Sequence, residues 1–170
     1  MNTVFYLSSA VAIAATLMVI TQRQAVHALL YLILSLLAVA LVFFVLGAPF
    51  LAALEVIIYA GAIMVLFVFV IMMLNLGRQA AEQERHWLAP GAWTGPGVLA
   101  AILFVEVVYV LARGRAGAAG AVEIGPHAVG LSLFGPYLLG VELAALILLA
   151  GLVGAYHLGR RSHTPDEKES

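Results

Sequence analysis

Residues 56–77 contain no charged side chain, and the run starts directly behind a carboxylate, Glu55. About 20 consecutive apolar residues are enough for a helix to cross the hydrocarbon core of a bilayer. An ionisable group at the head of such a helix is costly unless it meets a partner, water or an ion path. This one segment puts the chain in a membrane and points to chemistry within it.

The rest of the sequence repeats the pattern. Apolar runs at 2–21, 26–47, 52–76, 91–112 and 134–158 predict an all-α integral membrane protein, a bundle of five transmembrane helices in one membrane domain covering 1–170. The second and third runs would be continuous but for Gly47-Ala48-Pro49, a turn signal. With 64% hydrophobic and 10% charged residues among 170, little chain remains for a separate soluble domain. The first run reads as a retained span, because its first positive charge, Arg23, follows it, whereas a secretory signal needs a basic region in front.

The connections read as polar or weakly structured. Residues 77–89 carry Arg78, Glu82, Glu84, Arg85 and His86, and read as a wet loop. Trp87 and Trp93 flank Pro90 at a membrane interface. Residues 113–122 form a Gly/Ala-rich linker, Phe134-Gly135-Pro136 suits a helix start, and 163–170 read as a disordered polar tail. Arg23, Arg78, Arg85, Arg160, Arg161 and Lys168 fall on one side of a five-span topology, and Arg113 and Arg115 on the other. The excess places the N-terminus outside and the C-terminus in the cytoplasm.

Several function classes drop out. Cysteine is absent, so disulfides, thiolate zinc sites and iron–sulfur clusters have no ligands here. A formal charge of -1 with no basic patch gives no reason to expect a nucleic-acid partner. Phosphate loops and His-Glu-x-x-His zinc motifs are missing, so no bound cofactor is expected in this chain. There is no inverted repeat of the kind that builds a whole transporter.

The remaining candidates are few. Glu55, Glu106 and Glu142 are the glutamates within the spans, all toward the outer half in this topology, and no span holds a Lys, Arg or Asp to pair with them. Glu55 and Tyr59 stand four residues apart on one helix face, where a carboxyl and a hydroxyl can order water or pass a proton. Glu142, beside Gly140, suits either a structural hydrogen bond or proton handling. Glu106, close to Arg113 and Arg115, reads as reaching toward the outer surface. His27 and Tyr31 read as interfacial anchors. Gly61, between Ala60 and Ala62, marks either close helix packing or a local helix irregularity.

Two blocks carry a family resemblance. Val26-His27-Ala28-Leu29-Leu30-Tyr31-Leu32 and the stretch from Leu54-Glu55-Val56-Ile57-Ile58-Tyr59-Ala60-Gly61 through Ala62-Ile63-Met64-Val65-Leu66-Phe67-Val68-Phe69-Val70 resemble the subunit J family of bacterial NADH–quinone oxidoreductases, respiratory complex I. The mitochondrial counterpart is NADH dehydrogenase subunit six. The likeness continues through Met72-Met73-Leu74-Asn75-Leu76, Gln83-Glu84-Arg85, Leu133-Phe134-Gly135-Pro136-Tyr137 and Val141-Glu142-Leu143. It implies a membrane-arm subunit in the bacterial inner membrane, with NADH, FMN, iron–sulfur clusters and quinone handled by other subunits. The partners it implies are the quinone-site and antiporter-like subunits. It also implies a π-bulge in the third helix, around residues 59–65, that relaxes to regular helix and controls a water path. Glu55, Tyr59, Gly61, Val65 and Glu142 become the proton-path or gating candidates. A membrane subunit of a multi-subunit cation/proton antiporter is the competing reading, since related helices occur there without NADH chemistry.

Overall fold

The computed structural model describes residues 2–22, 24–74, 93–113 and 124–159. These are helical apart from short turns, with no strand among them. The expected wet loop at 77–89 with Trp87, most of the linker after Arg113, and the polar tail lie outside the described residues. Among the described residues five helices are long and apolar enough to cross a membrane: Thr3–Thr21, Ala25–Val45, Pro49–Met73, Thr94–Ala112 and Leu138–Gly159. The described residues fall into two compact units, Met1–Gly125 and Pro126–Ser170.

In the first unit α1 (Asn2–Thr21) and α2 (Ala25–Val45) make the most extensive contact. Val4, Ser8, Val11 and Ala15 recur at helical spacing on α1 and are all buried. On α2 the buried face is His27, Tyr31, Leu34, Ser35, Ala38, Leu41 and Val45. Ala15 and Ala38 have no exposed surface, and alanine is what lets two helix backbones approach closely without a hydrophobic drive between helices in lipid. The helix of the fourth span, α5 (Thr94–Ala112), completes the core with Leu103 and Val110. It approaches α2 so closely at its start that a Cβ on Gly95 would run into the Tyr31 hydroxyl.

Two threonine hydroxyls on α1 bond back to carbonyls of their own helix. Thr16 Oγ1 donates to the Ala12 carbonyl at 2.8 Å and Thr21 Oγ1 to that of Leu17 at 3.0 Å. This is how a hydroxyl is accommodated in a spanning helix.

The turn between the second and third spans has a defined stop. Gly47 sits at φ 88°, its N–H reaching Phe44 O at 3.1 Å, while Ala48 N–H reaches Phe43 O at 3.0 Å. That pair of bonds around a left-handed glycine is a Schellman cap, and it satisfies carbonyls that α2 would otherwise leave unpaired. Pro49 then occupies the first turn of α3 (Pro49–Leu54), where its missing N–H costs nothing. The third span therefore begins at the proline itself, earlier than the apolar run suggests. Three elements make up this span: α3, a π-helical segment (Glu55–Ile63) and α4 (Met64–Leu74).

The second unit holds α6 (Pro126–Leu133) and α7 (Leu138–Gly159). Phe134-Gly135-Pro136 does not start the last span, as its proline suggests, but forms the turn between these two helices. Pro136 has no N–H to give, and Tyr137 N–H instead reaches back to Ser132 O at 3.1 Å. The helix restarts when Val141 N–H bonds to Tyr137 O at 3.1 Å.

Candidate functional site

The π segment is the irregular feature of the third span, and four of the five candidates lie in it or just beyond it. Its nine residues run from Glu55 to Ile63, so it begins one turn before the expected 59–65 region and ends short of Val65. No proline causes it. Gly61 sits inside, and the cost of glycine in a regular helix, about 1 kcal/mol relative to alanine, narrows the gap to other backbone forms. A Cβ at Gly61 would stand 3.1 Å from the carbonyl oxygen of Val56, five residues earlier. The widened turn thus leaves room for glycine where a larger residue would press on backbone. The helix-irregularity reading of Gly61 describes its place here, and the contact is with its own chain.

Closure occurs at Met64. Its N–H bonds to the carbonyl of Tyr59, a five-residue span, while its side chain is 4% exposed. The next residue, Val65, is 65% exposed. Glu55 is half-buried, and Tyr59 is exposed, on the same π segment. Among the described residues neither the Glu55 carboxyl nor the Tyr59 hydroxyl has a hydrogen-bond partner. α2 packs on both the π segment and α4, so one side of this span is held.

An open apolar groove of about 670 Å³ lies alongside, lined by Leu37 and Phe44 of α2, Val56 and Ile57 of the π segment, and Phe104 and Val107 of α5. Its walls offer nothing to hold a charged ligand. Among the described residues no group of three His, Asp or Glu side chains could hold a metal ion.

Glu142 stands exposed on α7, in the second compact unit. Two other readings change. Glu106 does not reach the surface: it is 4% exposed, its Oε2 accepts a hydrogen bond from the Ser8 hydroxyl, and its Oε1 has no partner. Arg113, expected to draw it outward, instead lies over the Tyr109 ring, 4.4 Å from its centroid. His27 is not a wet anchor either. It is 4% exposed, edge-on to Trp93 at 6.3 Å between centroids, with neither ring nitrogen bonded. The signal for Glu106 is present in its spacing: Leu103, Glu106 and Val110 share the stripe of α5 that packs on its neighbours.

The family model described as NADH-ubiquinone/plastoquinone oxidoreductase chain 6 matches residues 15–158. The chain belongs to that family. Among its relatives, the NADH-quinone oxidoreductase subunit J of Pseudomonas aeruginosa is 62% identical over 162 residues, covering 95% of this chain and 98% of the relative. Subunit J of Escherichia coli K12 is 58% identical over 160 residues, covering 94% and 87% respectively. That of Buchnera aphidicola from Acyrthosiphon pisum is 46% identical over 168 residues, covering 99% of each. These relatives cover 94% or more of this chain, so the residues that form the π segment here fall within the likeness.

Proposed function

We propose that this chain is a membrane-arm subunit of a proton-translocating NADH:quinone oxidoreductase, and that its third span gates a water-borne proton path. Membership of the chain 6 family and relatives named as subunit J support the first part. Other subunits of the complex are its partners, and the bacterial inner membrane is its place. Redox cofactors and quinone belong to those other subunits, and the path runs between the quinone site and the antiporter-like subunits. The N-terminus faces outward and the C-terminus the cytoplasm.

The observation that carries the gating part is the π segment Glu55–Ile63, closed on one side by the buried Met64 and succeeded by the exposed Val65. Relaxing a π turn to α-helix shifts the residues beyond it by one position, on the order of 100° of rotation. That turns Met64 off its packed side and swings Val65 with it. An apolar side chain moved into a chain of water molecules interrupts proton hopping, which needs an unbroken hydrogen-bonded sequence. Glu55 and Tyr59 supply a carboxyl and a hydroxyl within the segment, and Glu142 is a separate titratable candidate on α7.

Glu55→Gln keeps the shape and removes the exchangeable acid proton. In the assembled complex, reconstituted in vesicles, fewer protons should be pumped per NADH, with the amount of complex largely retained. Pumping per NADH equal to wild type would reject a proton-handling role for Glu55.

A further inference from the structure

The unpartnered atoms of His27 and Glu106 lie at opposite ends of one line of polar side chains through the first compact unit. On α2, His27, Tyr31 and Ser35 succeed one another at four-residue intervals, all buried on one face. On α1, Ser8, Ala12 and Thr16 recur at the same interval. The two stripes join where Thr16 Oγ1 and Ser35 Oγ lie 2.8 Å apart, with Ser35 Oγ also donating to the Ala12 carbonyl at 3.2 Å. At the far end Ser8, with no exposed surface, donates to Glu106 on α5.

Each stripe covers eight residues, about 12 Å at the helical rise, so together they extend roughly 24 Å of a hydrocarbon core about 30 Å thick. Neighbouring positions one turn apart are about 6 Å from each other, a gap that one bridging water fills. Ala12, whose carbonyl accepts from both Thr16 and Ser35, lies midway in the two-turn interval from Thr16 to Ser8. Buried polar atoms left unpaired in a protein commonly mark ordered water. Here these atoms are Nδ1 and Nε2 of His27 and Oε1 of Glu106, at the two ends of the line.

We propose that His27, Tyr31, Ser35, Thr16, Ser8 and Glu106 form a hydrated polar column through α1, α2 and α5 that conducts protons separately from the third span. Each hydroxyl or water accepts a proton on a lone pair and releases the one it carried, so no group is consumed. Glu106 takes a proton on one oxygen and passes on the one held by the other. His27 exchanges between its two ring nitrogens in the same way. The column rests on the chain working within a proton-pumping complex, but not on the π segment. Third-span variants and column variants therefore fail or succeed independently.

The test is NADH-driven proton pumping by the assembled complex in vesicles, with two single variants and their combination. His27→Phe keeps a ring against Trp93 and removes both nitrogens. Glu106→Gln keeps an acceptor for Ser8 and removes the acid. A conducting column predicts fewer protons per NADH in each, with the double variant losing no more than the larger single loss. A purely structural role predicts unchanged pumping per NADH for His27→Phe, because replacing unpaired buried nitrogens by carbon is neutral or stabilising. Unchanged pumping per NADH in either assembled single variant would overturn the proposal. Should Glu106→Gln fail to assemble, Ser8→Ala takes its place, and failure of His27→Phe, Glu106→Gln and Ser8→Ala alike to assemble would make the line a packing device and reject conduction.

Discussion

The Met64 backbone N–H bonds to the Tyr59 carbonyl, five residues back, while its own side chain is buried beside a Val65 that is largely exposed. One residue thus closes the π segment by its backbone and fixes the rotation of α4 by its side chain. Any conversion of the segment to regular helix has to break that bond and move that side chain. Packing at Met64 and geometry at Gly61 together set which form dominates.

Met64→Ala should release this anchor. Truncating a buried methionine typically costs about 2–5 kcal/mol, whereas leucine of similar volume costs less than about 1.5 kcal/mol. Heat inactivation of the purified complex should therefore come at lower temperature for alanine than for leucine. Indistinguishable curves would mean that Met64 does not hold α4.

Gly47 should tolerate asparagine better than other side chains. Its φ of 88° is left-handed, and an L side chain there costs roughly 1–2 kcal/mol, with asparagine the mildest. Gly47→Val should lower the yield of assembled complex, and Gly47→Asn should lower it less. Equal yields would show that the cap bonds of Gly47 and Ala48 can form without a glycine.

Topology is open to reporter fusions. The lysine and arginine distribution predicts an external signal at Arg115 and a cytoplasmic one at Ser170. The opposite pair of signals would invert the orientation.

The spans are legible because lipid demands long uncharged runs, and nothing else in this chain produces them. Gly47 and Pro49 announce the turn for a similarly local reason: one supplies the left-handed angle, the other a first turn. Less is readable where geometry depends on distant partners. Gly61 points to an irregular helix, yet the start at Glu55 has no compositional mark, because a five-residue closure uses the same apolar residues as a regular one. The charges nearest Glu106 in sequence are Arg113 and Arg115, but its environment is set by Ser8 on another helix. The place of His27 and Tyr31 near a helix end suggests the interface. The approach of α5 buries both, and the Gly95 that permits it is 64 positions beyond Tyr31.

Gly61→Ala tests the gating account most directly, by the ratio of protons pumped to NADH oxidised in vesicles containing the assembled complex. The added Cβ would meet the Val56 carbonyl at 3.1 Å in the π form, a contact that form alone imposes. Alanine also favours regular helix by about 1 kcal/mol, roughly a fivefold shift between two forms close in energy. The account predicts a complex that assembles and oxidises NADH but pumps with an altered ratio, while the bulkier Gly61→Leu loses assembled complex. An alanine variant with wild-type NADH oxidation and wild-type pumping ratio across temperature would contradict it.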